Sequence, residues 1–536
     1  MNDPRRDTAW FKAQLAVAER DREALSLGEA NPAAVRALLE SLPPGDTTAL
    51  AQTLYRLLPE IASLKASPGR VLALLAAARP AVRQAARHLG ADQPVTPEAA
   101  RRFSLAAALL RHLARGYQTV LAAACDLPAT APTVLAEAAR GAAATLAELL
   151  ALAWHNYVDP PPGCWLQLHA TYALAHHKGV EKAVAEGTPG TRSAHSHYLE
   201  ALLVAAADPY RYPPPDLEAL RTFVARAGSR ADFHPEEGLF VVDPTADEGP
   251  NYPFRLQRLG EHQFHLRTQR LARHLEQQLA AGSLEVLDER LARDLIRRWS
   301  QEVAKREAPL PDDSPATLTL GLSHIHRHLS RSRNLEEFLR KTGHGRDREL
   351  ARLAIVEEER DHHDLFLRRT LGKFPTAAAP PLPTPAGRPL RRYPARRLET
   401  SAHGARFAFR APEETLTAGE IVLVEPQPGP HWQLGLVRWN RITRSLERIL
   451  GVEYLAEFAV PVAIVRGSGD RDEPLFPALL FAHGRGRRVV LPSLAFHPHE
   501  PVILIDASGR RPAQLGARVE ATFHVSVFEL HESPAG

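Results

Sequence analysis

The spacing of apolar residues changes period partway along this chain, and that change dictates two kinds of architecture. Up to about Ala227 apolar residues recur every three to four positions, the repeat of a helix with one buried face. Val35, Leu38, Leu39 and Leu42 form one such stripe. Leu50, Leu54, Leu57, Leu58, Ile61 and Leu64 form the next. Asn31-Pro32, Ser67-Pro68 and Thr96-Pro97 each place a capping side chain before a proline, the pattern of a helix start. From Arg397 onward the period is two. Ile421 to Val424 is a buried-type run, Trp432, Leu434 and Leu436 alternate, and Val519 to Val527 alternates as one long strand. The expected fold is therefore multidomain α + β, with an all-α N-terminal half and an antiparallel β-barrel region at the C-terminus.

With 536 residues the chain exceeds one ordinary core. Breaks in the pattern divide it into an all-helical domain over 1–235 and a mixed, mostly helical connector over 236–310. The first strand of the β-region follows in 311–330, then a helical insertion with a Pro-rich linker over 331–390. A barrel occupies 391–460 and a second small β-unit 461–536. Asp159-Pro160-Pro161-Pro162-Gly163 is a hard stop inside the helical half, and no fixed repeat period runs through that half.

Lys and Arg number 66 against 62 Asp and Glu, a net charge of +4, so affinity for a polyanion has to come from a local patch. Two cysteines, Cys125 and Cys164, are too few for a disulfide framework or a Cys-based zinc site, which points to a reducing compartment. No apolar leader and no run of about 18 uncharged apolar residues occurs. The reading is a cytoplasmic chain without a membrane span.

One local patch stands out. Arg388, Arg391, Arg392, Arg396 and Arg397 crowd together, and the polar turn 399–404 follows at once. A guanidinium fork clasps phosphate bidentately, stacks on a purine, or bonds its O6/N7 edge. The competing reading is a solvated loop after a Pro-rich linker. Nucleic acid is disfavoured as a partner because Tyr393 is the patch's one aromatic residue. Two histidine clusters are candidates for a metal site: His324, His326 and His328, expected at a strand end or loop, and the stretch with Glu358, Glu359, Asp361, His362, His363 and Asp364, expected on a charged helical face. Neither carries a strong ligand motif, and the default reading holds no metal and no cofactor.

Glu399-x-Ser401-x-x-Gly404, followed by Gly435-Leu436-Val437-Arg438-Trp439 and Gly451-Val452-Glu453-Tyr454, resembles the PilZ domain, the bacterial receptor module for cyclic di-GMP. The PilZ match covers 70–80 residues. Across its length the chain also resembles long bacterial proteins with a helical N-terminal region and a PilZ-like C-terminal region, through Asn31-Pro32, Asp208-Pro209-Tyr210-Arg211 and the segment 238–243. The resemblance implies a non-enzymatic cyclic di-GMP effector with a pilus or flagellar component as protein partner. It also implies a ligand site of Arg388, Arg391, Arg392, Arg396, Arg397, Glu399, Ser401, Gly404 and Arg438. Both Arg388-x-x-x-Arg392 and Arg392-x-x-x-Arg396 fit the family's paired arginines, although in the family a strand separates that pair from the Ser/Gly turn. Glu399 stands where the family has Asp or Asn, one methylene longer. These departures leave a second reading, a ligand-free structural adaptor with a degenerate PilZ-like fold. A third, weaker one is a metal-dependent hydrolase.

Overall fold

A computed structural model describes residues 4–43, 45–127, 131–184, 192–253, 262–301, 309–343, 390–411, 415–427, 431–467, 475–484, 486–493 and 495–532. It divides into two compact units, one of Met1–Tyr210, Asp216–Lys305 and Ile442–Leu446, the other of Arg211–Pro215, Arg306–Arg441 and Glu447–Gly536.

Among the described residues the first unit begins with nine α-helices: α1 (Pro4–Ala13), α2 (Pro32–Glu40), α3 (Thr47–Ala62), α4 (Pro68–Leu89), α5 (Pro97–Asp126), α6 (Pro132–His155), α7 (Cys164–His177), α8 (Ala194–Ala206) and α9 (Pro214–Ala227). Their starts are set locally. Asn31, Asp46, Thr96 and Ser193 each accept a hydrogen bond from the backbone N–H three residues on, and proline opens α2, α4, α5 and α6. The centre is the α5–α6 pair, and 16 of the 24 residues of α6 are buried. Small residues permit that approach. A Cβ on Gly141 would sit 2.4 Å from the Tyr117 ring, so any larger residue would force the two helices apart. Strands β1 (Asp232–His234), β2 (Phe240–Val242) and β3 (Phe264–Arg267) then make a small antiparallel sheet ordered β1-β3-β2, and α10 (Gln269–Ala280) and α11 (Glu289–Ser300) follow.

The second unit holds two β-barrels. Strands β4 (Leu310–Pro311) and β5 (Pro315–Leu320) precede two short helices, α12 (Leu322–Ser330) and α13 (Leu335–Lys341). After them come β6 (Arg392–Ser401), β7 (Gly404–Phe409), β8 (Ile421–Pro426), β9 (Gln433–Ile442) and β10 (Arg448–Ala456). The sheet runs β4-β6-β5-β8-β9-β10-β7, and β7 pairs again with β6 to close the ring. Leu318, Leu320, Phe407, Phe409, Val422, Val437, Leu450 and Val452 fill its interior. The second barrel consists of β11 (Val460–Arg466), β12 (Leu475–His483), β13 (Gly486–Pro492), β14 (Pro501–Asp506), β15 (Gly509–Ala521) and β16 (Val525–Glu532), closed in the order β11-β12-β13-β16-β15-β14.

Three expectations change. The strand in 311–330 is confined to Pro315–Leu320. Gly321, at φ +86°, turns the chain out of the sheet, and residues 322–330 are helical, so His324, His326 and His328 lie on a helix and not at a strand end or loop. Residues 519–527 are not one strand. At Thr522 the chain turns, because its Oγ1 donates to the Gly419 carbonyl at 2.7 Å and accepts from Val525 N at 3.0 Å, which a continuing strand would not allow. Of the insertion 331–390, α13 is described, whereas 344–389, including the Glu358–Asp364 stretch, lies outside the described residues.

Buried in the seam between the barrels, His326 donates through Nε2 to the Val462 carbonyl at 3.2 Å. Burial pulls its pKa down to about 4. The folded protein keeps this imidazole neutral while the unfolded chain takes up a proton below about pH 6.5. Stability should therefore fall as pH drops from about 6.5 toward 4, by up to about 3 kcal/mol from this group. Urea titrations across that window should show the slope, and His326→Gln should reduce it by this group's share, with the buried His169 and the partly buried His197 contributing the same sign.

Candidate functional site

The arginine-rich segment folds as a barrel strand and not as a loop. In β6, Tyr393 and Ala395 pack on the barrel core, while Arg392, Pro394 and Arg396 alternate with them on the outer face. Strand geometry separates Arg392 from Arg396 by about 13 Å along that face. A register shift between Arg397 and Glu399 then leads to the β6–β7 hairpin, in which Ser401 pairs with Gly404. Ser401 Oγ donates to the Gly404 carbonyl at 3.2 Å. The glycine has a packing reason, since a Cβ there would lie 2.1 Å from the Val452 carbonyl oxygen on β10.

Each described arginine of the cluster meets a carboxylate. Arg391 Nη1 lies 2.7 Å from Glu420, and its Nη2 donates to the Thr415 carbonyl. Arg392 lies 3.0 Å from Glu425, Arg396 3.0 Å from Asp313, and Arg397 2.7 Å from Asp312. Glu399 is tied to Arg406 at 2.8 Å, across the register pair of β6 and β7. Arg438 on β9 bridges Glu453 at 3.0 Å and Glu520 of the second barrel at 2.7 Å. Arg388 lies outside the described residues.

Exposure sorts these pairs by how readily an incoming anion can replace the carboxylate. The side chains of Arg392 and Arg396 are 44% and 54% exposed, and water screens their ion pairs. Arg391 is 16% exposed and Glu420 7%, so separating them would strand two largely desolvated charges. Burial alone would raise the Glu420 pKa, but the Arg391 charge, His524 and the bonds from Arg391 and Thr417 N outweigh it, and the net shift is downward. Arg438 is also held firmly. Burial opposes its charge, and the bonds and charges of Glu520 and Glu453 more than compensate.

The structure thus unites Arg392, Arg396, Glu399, Ser401 and Gly404 on one strand and its hairpin. Arg391 is anchored to the 415–420 turn and Arg438 to the second barrel. Sequence reasoning missed Arg406 and the carboxylates Asp312, Asp313, Glu420 and Glu425. Asp312-Asp313 sits in the Pro309–Ser314 break, but nothing in the local pattern pairs it with residues 84 or so positions on. Of the first histidine cluster, His326 bonds a carbonyl and His328 Nε2 lies 3.1 Å from Glu425. Among the described residues no group of three or more His, Cys, Asp and Glu is placed to hold a metal ion, and no helix is long and apolar enough to cross a membrane.

Removing Glu420 by Glu420→Ala should cost about 2–4 kcal/mol, because Arg391 keeps only part of its pairing in a desolvated site. Asp313→Ala, on the exposed Arg396 pair, should cost under about 1 kcal/mol. Chemical denaturation of both variants separates the two. The contribution of Glu420 should be present above the ordinary glutamate range and lost as pH falls through its lowered folded pKa.

Comparison with known proteins bears on the same residues. Residues 33–237 match the family model described as the N-terminal domain of the cyclic-di-GMP receptor FimW. Residues 239–366 and 384–461 match the model of that receptor's middle PilZ domain. The chain is 25% identical over 436 residues to the cyclic-di-GMP receptor FimW of Pseudomonas aeruginosa, a span that covers 70% of this chain and 69% of the relative. No solved structure matches.

Proposed function

Because the chain belongs to the family of PilZ-type cyclic di-GMP receptors, we propose that it is a cyclic di-GMP-binding effector, with the nucleotide held on the outer face of β6 and the β6–β7 hairpin. One observation carries the site. Arg392 and Arg396 share one outward face of a closed six-stranded barrel and are themselves about half exposed, so the phosphates of a ligand can take the two guanidinium forks from Glu425 and Asp313 at modest cost. Ser401 and the hairpin backbone lie at the end of the same strand, where a hydroxyl and a close glycine turn suit the edge of a base.

On this reading the protein works in the cytoplasm as a signalling module, without catalysis and without a cofactor. The helical unit supplies the contact to a protein partner, and a component of the attachment or motility machinery is the class that the resemblance offers. Ligand occupancy acts on such a partner only through differential affinity for two arrangements of the chain.

A specific observation favours a second reading, a ligand-free adaptor. Glu399 stands in place of the shorter acid of the family motif and is already committed to Arg406. Titration calorimetry with cyclic di-GMP, with GTP as control, decides between the two. The receptor reading expects saturable binding that weakens about tenfold or more in Arg392→Ala and in Arg396→Ala, the scale of one charge-assisted contact. Absence of heat in the wild-type protein would leave the adaptor, whereas binding with unchanged affinity in both variants would keep the receptor and overturn the site on β6.

A further inference from the structure

Beyond residue 461, where the PilZ match ends, the second barrel repeats the first. Numbering the ring strands of each barrel one to six in chain order, β5–β10 close as one-two-three-six-five-four. Strands β11–β16 close in that same order. The hairpins between the second and third strands also agree, each with two residues between its last pair: Ser401 with Gly404, and His483 with Gly486.

Superposing these hairpins aligns the second strands once the register shift near Leu398 is skipped. Tyr393-Pro394-Ala395 falls on Phe476-Pro477-Ala478. The faces agree as well. Tyr393 and Ala395 pack on the first barrel's interior, and Phe476 and Ala478 are in the second's. Phe407 and Phe409 correspond to Val489 and Leu491, again interior in both barrels.

The difference lies on the outer face. Where the first barrel has Arg392, Arg396 and Glu399, the second has Leu475, Leu479 and Phe481. These are buried, not solvated. Leu479 and Phe481 join Leu322 and Ile325 of α12 in the apolar seam with the first barrel, and Leu475 packs with Leu335 and Leu339 of α13. The face that is polar and open on one barrel is thus apolar and occupied by the chain's own helices on the other. The first helix reaches the candidate site too: His328 on α12 bonds Glu425, the carboxylate that also holds Arg392.

We propose that the second barrel is an internal, nucleotide-silent copy of the first, whose ligand face has become the dock for α12 and α13, so that α12 links the state of Arg392 to the second barrel. The link to Arg392 rests on the cyclic di-GMP reading above; the copy and its dock do not. A phosphate that takes Arg392 leaves Glu425 to His328 alone, and so changes the hold on α12.

Hydrogen exchange and calorimetry on the full chain test this. Leu479→Glu should raise amide exchange in α12 and α13 at least about tenfold, while Arg396→Glu, at the corresponding position of the first barrel, should leave both helices protected. Protection of α12 in Leu479→Glu would overturn the dock whether or not nucleotide binds. With cyclic di-GMP, the Arg392→Ala/Arg396→Ala double variant should weaken all saturable binding by about a hundredfold, the two tenfold losses combined, and a class of site left at wild-type affinity would overturn the silence of the second barrel. Ligand should alter α12 exchange in the wild-type protein but not in His328→Gln, which should bind within about threefold of wild type. An α12 indifferent to bound ligand would overturn the link. Absence of any wild-type binding would overturn the receptor reading and the link together, leaving the dock to stand or fall on Leu479→Glu.

Discussion

Antiparallel pairing of β5 with β6 is the constraint on which the candidate site depends. Thr319 pairs with Arg392 and Pro315 with Arg396, across more than seventy intervening residues. Without that ladder β6 would be a hairpin arm with β7, its arginines set on nothing. With it, β5 joins β6 to β8, the ring closes, and alternate residues of β6 are forced outward or inward. Closing so long a loop costs entropy only logarithmically in its length, and the interior that Leu318, Leu320, Phe407 and Val422 fill compensates.

The electrostatics follow from that frame. A run of arginines in a strand would repel itself and any like neighbour. Here each described arginine of the run faces a carboxylate contributed by another part of the chain: the 312–313 turn, the 415–420 turn before β8, or the far end of β8. These pairs are not equivalent. Burial makes Arg391–Glu420 a structural bond, whereas exposure leaves Arg392 and Arg396 exchangeable. One short stretch of chain thus serves the barrel's integrity through Arg391 and leaves Arg392 and Arg396 on its exposed face.

How much was legible in advance depends on the range of the interaction responsible. Helix starts at Asn31, Asp46 and Thr96 rest on contacts three residues apart, and they can be read directly from the chain. The Ser401–Gly404 turn is equally local. The helix carrying His324, His326 and His328 was not legible, because its apolar face is completed by residues of two barrels far away in sequence. Alternation from Val519 to Val527 is real, yet Thr522 turns the chain because its hydroxyl meets Gly419, some hundred residues earlier.

By itself the sequence determined the helical half and the change to extended structure beyond it, the crowding of arginines, and the motif that marks the family, since all of these reside in short-range spacing and side-chain chemistry. Tertiary structure decided which arginines are spent on buried carboxylates and which remain exchangeable, and that two barrels share one strand order. Both depend on pairings between residues tens to hundreds of positions apart, whose partners no local pattern specifies.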